Sequence, residues 1–374
     1  MKAMAGGAPR KLLFYTYALQ MGGAERVCAL LASAFAERGD SVTLAVDVEA
    51  ESDVPLSDRV RKLALGRGHA RSLAALVSLI GVEKPDVSLS ALAASNLKHA
   101  LAALRAGRAG RAILSYHGYF DAEPQLLSRA GFIALPVIAR ATAACVCVSD
   151  GLLAHVRRFG APARKTRRIF NPVQLAPPTD VATAATLAAR PPLVLAVGRL
   201  NPVKAFDVLI RAFARVKTPG ARLRIVGEGP EREMLAGLIV SLGLQDRVEL
   251  AGASADVSAH YREARCLALT SRSESFGNVV VEALSHGLPV VATDCGGPSE
   301  IIESAACGLI APVGGAEDIA RAIDAVLAAP GDPEPRLRRA SEFSIARAVA
   351  AYDSLFDDVI GAADGRRGSG AASS

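Results

Sequence analysis

The sequence has 374 residues, of which 51% are hydrophobic and 21% are charged, and its formal net charge is +6. This length predicts two domains, and the apolar content excludes a largely disordered chain. Because the sequence has no apolar run of about 18 residues and no signal segment, we expect a cytoplasmic protein without a membrane-spanning helix.

Strand-like apolar runs alternate with amphipathic segments through the first half of the chain. The predicted strands are residues 11–17, 41–47, 86–91, 111–117, 144–149 and 165–170. This alternation is typical of βαβ units and predicts a parallel sheet. The proline-rich segment "NPVQLAPPTD", residues 171–180, interrupts the pattern and is interpreted as an interdomain linker.

The alternation restarts after the linker. Its predicted strands are residues 191–200, 221–229, 248–252, 266–271, 289–294 and 307–313. The fold class is therefore α/β, with two doubly wound, Rossmann-like domains over residues 1–175 and 176–345 that face each other across a cleft. We expect residues 346–362 to form a helix that packs on the N-terminal domain, and residues 363–374 to be a disordered tail.

Two glutamates lie eight residues apart in "SESFGNVVVEALSHGLPVVATDCGGPSEII", residues 273–302. This segment follows a buried strand and predicts a helix over residues 277–286, with Glu274 in the preceding loop and Glu282 on the second turn. A helix N-terminus favours an anion such as a diphosphate, and a carboxylate one turn along can accept ribose hydroxyls. The pattern predicts a donor site that joins Glu282 to the backbone of Phe276, Gly277, Asn278 and Val279.

The loop after the first strand of each predicted domain is a further candidate for phosphate binding, in addition to the helix over residues 277–286. In "GGAERV", residues 22–27, the amides of Gly22 and Gly23 can approach a phosphate or a sugar, although an ordinary tight turn is the alternative. In the second domain, Arg199 and Lys204 share one loop, and two cations there can neutralise a leaving diphosphate without a metal ion.

Cofactor sites have no clear pattern in the sequence. The six cysteines include no C-x-x-C pair, so they are interpreted as reduced core residues and we expect no metal and no other cofactor. The absence of G-x-G-x-x-G in "GGAERV" argues against a dinucleotide dehydrogenase.

Several of these segments resemble the retaining glycosyltransferases of family four, which have the GT-B architecture. The resemblance rests on the E-x7-E pattern of Glu274 and Glu282 and covers nearly the whole chain. Other matching segments follow in the family's order: "GGAERV", "YHG" (116–118), "FNPV" (170–173), "VGRLNPVKAFDVLIRAF" (197–213), "LRIVGEGPERE" (223–233) and "CGLIAPVGGAEDIARAI" (307–323).

The resemblance implies transfer of a sugar, with retention, from a nucleotide-diphosphate donor such as a UDP-sugar to an acceptor hydroxyl in cell-surface polysaccharide or glycolipid biosynthesis. It implies that Arg199 and Lys204 grip the donor diphosphate and that Glu274 faces the transferred sugar. His117 ends a predicted strand and matches a histidine that contacts that sugar. The implied base and ribose pocket is lined by Gly227, Glu228 and Ala251, although "GEGPER" (227–232) is also compatible with a plain strand-to-helix turn.

Two positions depart from the family pattern. Ala205 replaces the glycine that usually follows the lysine, which predicts less backbone freedom in the diphosphate loop. Ala251 stands where a bulkier residue is common, so the identity of the nucleobase is less constrained. A sugar-nucleotide epimerase of the same architecture and a non-catalytic nucleotide-binding protein remain as alternatives.

Basic residues are concentrated in the first half of the chain. Residues 1–175 carry a net charge of +10 and the remaining residues carry −4. The apolar segment 125–144 and the cation-rich segment 157–168 predict docking on an anionic membrane, at the inner face of the plasma membrane, and a glycan or lipid-linked glycan acceptor. An ordinary buried helix, kinked at Pro136, is the alternative for the apolar segment. No nucleic acid partner is expected.

Overall fold

The computed structural model describes residues 9–19, 22–49, 54–122 and 125–370. The described residues divide into two compact units. The first unit joins the chain up to Pro172 to the segment from Ile345 onward, and the second is Val173–Ser344. Residues 1–8 and 371–374, for which the sequence predicts disorder, lie outside the described residues.

In the described part of the first unit, seven parallel strands form one sheet in the order β3-β2-β1-β4-β5-β6-β7. The strands are β1 Lys11–Thr16, β2 Ser41–Val46, β3 Arg61–Ala64, β4 Val87–Ala91, β5 Ala112–Tyr116, β6 Ala144–Cys147 and β7 Thr166–Arg168. The α-helices are α1 Gly23–Glu37, α2 His69–Glu83, α3 Ala93–Arg105, α4 Leu126–Ile133, α5 Leu135–Ala141, α6 Asp150–Arg158 and the C-terminal Ile345–Gly370. Short 3-10 turns occur at Ala109–Arg111, Phe120–Ala122 and Ala163–Lys165.

Central and edge strands of this sheet differ in composition. Every residue of β4 and β5 is buried, because helices cover both faces of a parallel sheet. The edge strand β3, "RKLA", has no buried residue, and its lack of an apolar run explains why the sequence did not predict it.

The second unit is described throughout and contains six parallel strands in the order β10-β9-β8-β11-β12-β13. The strands are β8 Leu193–Val197, β9 Arg222–Val226, β10 Val248–Gly252, β11 Cys266–Leu269, β12 Val290–Thr293 and β13 Gly308–Ala311. The helices are α7 Ala184–Ala189, α8 Phe206–Phe213, α9 Arg232–Ser241, α10 Val257–Glu263, α11 Asn278–Ser285, α12 Gly297–Ile301, α13 Ala316–Ala328 and α14 Glu334–Ser341, with a 3-10 turn at Pro178–Asp180. The C-terminal helix of the first unit is α15.

Both sheets reverse their strand order once. The reversal lies between β1 and β4 in the first unit and between β8 and β11 in the second. In open parallel sheets of this type, ligands bind beyond the carboxyl ends of the two strands at the reversal. The predicted α/β class with two doubly wound sheets is confirmed. In the second unit, a ligand site is expected at the loops after β8 and β11.

The C-terminal helix α15 is part of the first unit. The Phe356 ring lies 5.1 Å from the Phe35 ring of α1, and Arg10 donates to Asp353 at 2.7 Å and to Asp40 at 3.0 Å. The helix continues to Gly370, so residues 363–370 are helical rather than part of a disordered tail. Extending a helix that is already formed costs less than nucleating a new one, which offsets the weak propensity of this glycine-rich end.

The apolar segment 125–144 is divided into two helices. Helix α4 ends at Ile133 and α5 begins at Leu135, with Pro136 in its first turn. A proline at that position begins a helix without breaking a hydrogen bond, so it does not kink a longer one. Phe132, Leu135 and Ile138 are buried, whereas Leu126, Ile133 and Val137 are exposed.

Gly227 permits a close approach between the loops that follow β8 and β9. Its φ is +146°, and a Cβ at this position would overlap the carbonyl oxygen of Gly198. The N–H of Gly198 donates to Val226 at 3.0 Å, so the two backbones are held together where the overlap would occur. Side chains other than hydrogen are therefore excluded at residue 227.

We expect Gly227→Ala to lower the free energy of unfolding by about 2 kcal/mol or more, because it adds a backbone overlap to a strained φ. The matched control is Gly237→Ala, in the exposed middle of α9 with open space around the added methyl group. That change should raise the free energy of unfolding by about 1 kcal/mol through helix propensity. Urea unfolding of both variants provides the measurement, and equal stability of the two would contradict the prediction.

Candidate active site

Lys204 and Glu274 meet at the reversal of strand order in the second sheet. Lys204 lies in the loop after β8, Glu274 lies in the loop after β11, and the Lys204 ammonium forms a close ion pair with Glu274 Oε2. The side chains are 25% and 17% exposed, so solvent screens this pair less than an exposed one. The sequence placed both residues in one site, and the structure brings their side chains into contact.

Ala205 adopts a left-handed backbone conformation of the kind that favours glycine. Its φ of 50° and ψ of 44° lie in the left-handed region, which costs an alanine about 1–2 kcal/mol. Thr270 Oγ1 donates to the Ala205 carbonyl at 3.1 Å, and Asn201 Oδ1 accepts from the Lys204 N–H at 3.2 Å. These contacts hold the loop in spite of the strain, so the substitution leaves the turn intact.

The backbone of Glu274 is fixed by the loop that follows β12. The Glu274 N–H donates to the Cys295 carbonyl at 2.9 Å, and the Glu274 carbonyl accepts from the Gly297 N–H at 2.8 Å. A Cβ on Gly297 would overlap the backbone of Phe276, so only glycine fits there. Glu274 is therefore held on a rigid frame rather than on a mobile loop.

Helix α11 begins beside this frame. Gly277 is its N-terminal cap with φ +102°, and the helix starts at Asn278, one residue later than predicted. The Phe276 side chain is buried and packs edge-on against Phe343 at 5.6 Å, so only its backbone remains available to a ligand. Asn278 and Val279 are partly buried in the first turn.

Glu282 is held from a neighbouring helix. The Tyr261 hydroxyl of α10 donates to Glu282 Oε2 at 2.9 Å, and the Tyr261 ring stacks on His286 with centroids 4.9 Å apart. The E-x7-E pattern identified Glu282 in the sequence, whereas neither Tyr261 nor His286 was predicted to lie beside it. His286 is one helical turn beyond Glu282, which is a weak signal, whereas no sequence spacing connects Tyr261 to it.

The predicted base and ribose residues form a second cluster at the same edge of the sheet. Gly227 donates from its N–H to the Gly252 carbonyl at 2.7 Å, which joins the ends of β9 and β10. Glu228 binds Arg232 at 3.0 Å, and Ala251 is exposed in β10. The Leu200 N–H donates to the Glu228 carbonyl at 2.9 Å, so this cluster adjoins the loop of Lys204. Arg199, in that loop, has an exposed side chain.

His117 lies at the carboxyl end of β5 in the first unit. Its Nε2 is 2.9 Å from Ser115 Oγ. Burial lowers the pKa of His117 to about 4, so the imidazole is neutral above roughly pH 5. A neutral ring presents one donor and one acceptor, which suits a sugar hydroxyl.

Gly22 and Gly23 lie at the start of α1, where Gly22 is the cap and Gly23 is the first helical residue. The Glu25 carboxylate folds back to the position that a side chain on Gly22 would take. An acidic group at a helix N-terminus is favourable, and it occupies the place that the sequence predicted for a phosphate. Burial raises the pKa of Glu25 above its ordinary value, so this carboxylate gives up its proton less readily.

The described residues contain neither a metal-ligand cluster nor a helix suited to span a membrane. No group of three or more histidine, cysteine, aspartate or glutamate side chains is placed to hold a metal ion there. All six cysteines are buried thiols. No described helix has both the length and the apolar composition that crossing a membrane requires.

Comparison with protein families gives two matches that together span most of the chain. The profile described as Glycosyltransferase Family 4 matches residues 21–176, and that described as Glycosyl transferases group 1 matches residues 183–343. The second match contains Lys204, Glu274 and Glu282.

Individual relatives agree with these profiles. The lipopolysaccharide core biosynthesis glycosyltransferase LpsE of Rhizobium meliloti (strain 1021) is 31% identical over 317 residues, which cover 82% of this chain and 86% of LpsE. The D-inositol 3-phosphate glycosyltransferase of Nocardia farcinica is 38% identical over 174 residues, 44% of this chain and only 38% of that protein. The crystal structure of Anabaena Alr3699/HepE in complex with UDP and glucose superposes with a TM-score of 0.80 at 22% identity, over 93% of this chain and 99% of that chain, and shows a shared fold.

Proposed function

Because the chain belongs to glycosyltransferase family 4, a family of retaining glycosyltransferases, we propose that it transfers a sugar from a UDP-sugar to a glycan hydroxyl during lipopolysaccharide or exopolysaccharide biosynthesis. The name of LpsE supports the pathway class, and the UDP and glucose in the HepE crystal structure support the donor. Because the chain belongs to this family, we favour a transferase over the two alternatives that the sequence left open, a sugar-nucleotide epimerase and a non-catalytic nucleotide-binding protein.

The observation that carries the proposal is the ion pair of Lys204 and Glu274 beyond the strands where the second sheet reverses its order. Lys204 supplies a charge for the donor diphosphate, which competes with the Glu274 carboxylate for the ammonium. Glu274, once its oxygen is released, faces the sugar joined to that diphosphate. One short contact thus supplies a group for the leaving phosphate and a group for the transferred sugar.

Helix α11 and Arg199 complete the diphosphate site in this proposal. The N-terminal end of α11 carries partial positive charge, and its first residues Gly277, Asn278 and Val279 are at the edge where Glu274 lies. Arg199 is exposed in the Lys204 loop and has the reach to bind a second phosphate oxygen.

The reaction breaks the bond between the anomeric carbon and the diphosphate oxygen. The acceptor oxygen bonds to the same face of the sugar, and its proton passes to the leaving phosphate, so the anomeric configuration is retained. Negative charge grows on the diphosphate as the bond breaks, and Lys204 and Arg199 stabilise it there. No metal ion is needed in this scheme, and EDTA should leave the activity unchanged.

We expect Lys204→Ala to reduce kcat by about 100-fold or more, because a removed charge stabiliser raises the barrier to diphosphate departure. The control is Arg211→Ala, which removes one exposed positive charge from α8, the helix that follows Lys204. Steady-state transfer assays with both variants provide the comparison. Full activity of the Lys204 variant would remove this residue from the mechanism.

Recognition of the nucleoside is assigned to Glu282 and to the cluster of Gly227, Glu228 and Ala251. Glu282 accepts hydrogen bonds from the ribose hydroxyls, one turn along α11 from the diphosphate. The cluster at the ends of β9 and β10 adjoins the Lys204 loop, and Ala251 within it is exposed to an incoming base. In the first unit, His117 is assigned to the sugar, and the amides of Gly22 and Gly23 bind it only if Glu25 moves aside.

Donor recognition is tested with UDP, GDP and ADP, of which UDP should raise the unfolding temperature most by mass action. Glu282→Gln should weaken UDP binding about tenfold with little change in kcat, because ribose contacts persist unchanged through the reaction. Glu274→Gln should lower kcat by at least about tenfold without weakening UDP binding, because the change also removes the carboxylate that competes for the Lys204 ammonium. Calorimetry and saturated turnover separate the two effects, and equal small effects would contradict these roles.

The acceptor is proposed to be a lipid-linked glycan, met at an anionic membrane surface. Leu126, Ile133 and Val137 on α4 and α5 are 84%, 71% and 70% exposed. The cation-rich segment adjoins these helices, because Gly160 lies against the Pro136 ring and Lys165 donates to the Arg140 carbonyl at 2.7 Å. The two helices and the cation-rich segment also carry exposed cations: Arg129, Arg140, Arg157, Arg158 and Arg164.

We expect the protein to sediment with phosphatidylglycerol vesicles, to bind phosphatidylcholine vesicles less, and to be released by about 0.5 M salt. Val137→Glu should reduce sedimentation with anionic vesicles by about fivefold or more, because it places a carboxylate against the lipid surface. Val82→Glu is the control, since Val82 on α2 is 78% exposed in the same unit. Binding that ignores lipid charge and salt would contradict membrane docking.

A further inference from the structure

Tyr261 is buried in a position that reaches the carboxylate of Glu282. Its ring is 2% exposed, and its hydroxyl donates to Glu282 Oε2 at 2.9 Å. The hydroxyl also lies 3.4 Å from the Val279 carbonyl, on the first turn of α11. One phenol thus contacts the helix at two points separated by one turn.

His286 restricts the movement of the Tyr261 ring by stacking against it. Its imidazole is 4% exposed and stacks on the Tyr261 ring at an interplanar angle of 26°. His286 Nδ1 is 2.8 Å from the Glu282 carbonyl oxygen, and Nε2 is 2.8 Å from Ser258 Oγ. A carbonyl only accepts, so Nδ1 carries the hydrogen, and the ring cannot rotate without losing both contacts.

The contacts of Glu282, Tyr261 and His286 close into a loop. Glu282 accepts through its side chain from Tyr261, Tyr261 stacks on His286, and His286 donates back to the Glu282 carbonyl. Because α10 provides Tyr261, and α11 provides Glu282 with His286 as its C-terminal cap, the loop ties the two helices together. Both Tyr261 and His286 make a polar contact to Glu282.

We propose that Tyr261 is a positioning residue that holds the Glu282 carboxylate in the rotamer that receives the ribose of the nucleotide. The inference rests on the ribose role of Glu282 in the proposed function. Tyr261 itself touches no part of the donor in this proposal and acts through Glu282.

The geometry indicates that Tyr261 orients the Glu282 carboxylate and does not compete with the ribose hydroxyls for it. A carboxylate offers about four lone-pair sites on its two oxygens, so the hydrogen bond from Tyr261 leaves acceptor capacity for two ribose hydroxyls. A glutamate side chain loses considerable rotamer freedom when it binds a ligand. The buried hydroxyl imposes that ordering before the nucleotide arrives, which improves affinity without new ligand contacts.

The test compares UDP with 2′-deoxy-UDP, which lacks one ribose hydroxyl. We expect Tyr261→Phe to weaken UDP binding about fivefold, since one hydrogen bond to a charged group is lost, and to change 2′-deoxy-UDP binding less than about twofold. The donor KM should rise as the UDP affinity falls, whereas kcat at saturating donor should stay within about twofold. The phenylalanine retains the stacking on His286, and thermal unfolding checks that the fold is kept.

Two further variants separate the possible failures. Glu282→Gln should show the same preference for weakening UDP, and the double variant should bind UDP no more weakly than Glu282→Gln alone, because Tyr261 acts through that carboxylate. Tyr352→Phe removes a buried hydroxyl from the first unit and should leave UDP affinity unchanged. If Glu282→Gln weakens both nucleotides equally, the ribose role fails and the inference fails with it. If Glu282→Gln weakens UDP more than 2′-deoxy-UDP but Tyr261→Phe weakens both nucleotides equally, only the positioning role is overturned. The same holds if the losses of UDP binding free energy from Tyr261→Phe and Glu282→Gln add fully in the double variant.

Discussion

The reversal of strand order between β8 and β11 decides which side chains of the second unit can meet. Neighbouring parallel strands deliver their following loops to the same edge, and at a reversal those loops diverge to opposite faces and leave room between them. Lys204 and Glu274 are on the two loops at this point and close the distance with an ion pair. The surrounding backbone holds both residues in place. Ala205 has a left-handed conformation, and the absence of a side chain at Gly297 allows the Glu274 loop to lie against it.

Backbone strain and side-chain burial both occur at this edge of the second sheet. The left-handed Ala205, the overlap-limited Gly227 and the buried Phe276 each restrict the backbone that carries a proposed donor contact. Restriction of this kind is costly in the free energy of folding but keeps polar groups aimed at a ligand before it binds. The stacking of Tyr261 on His286 restricts a side chain in the same way, at the glutamate that is proposed to bind the ribose.

Sequence patterns predicted most of the fold because apolar runs and turn residues act locally. The strands of both sheets and the helix at Asn278 follow from composition within short windows. Edge strand β3 was missed because its side chains are not buried and leave no apolar run in the sequence. The helical end of α15 was missed because the extension of a helix depends on the helix that precedes it. In the site, Glu274, Lys204 and Glu282 were identified by spacing and resemblance. The side-chain burial of Phe276, the folding back of Glu25 onto α1 and the contact of Tyr261 depend on three-dimensional packing between segments that the chain separates, so no local pattern contains them.

The placement of α15 in the first unit has a consequence for the order of events during synthesis. Asp353 and Phe356 supply partners for Arg10 and Phe35, which leave the ribosome more than 300 residues earlier. The second unit is a contiguous segment and can fold as soon as it emerges, whereas the first waits with an uncovered apolar surface on α1 until α15 has been synthesised. The N-terminal part of this enzyme is thus completed only after the whole second unit has been made, and until then the apolar surface of α1 exposes the nascent chain to aggregation.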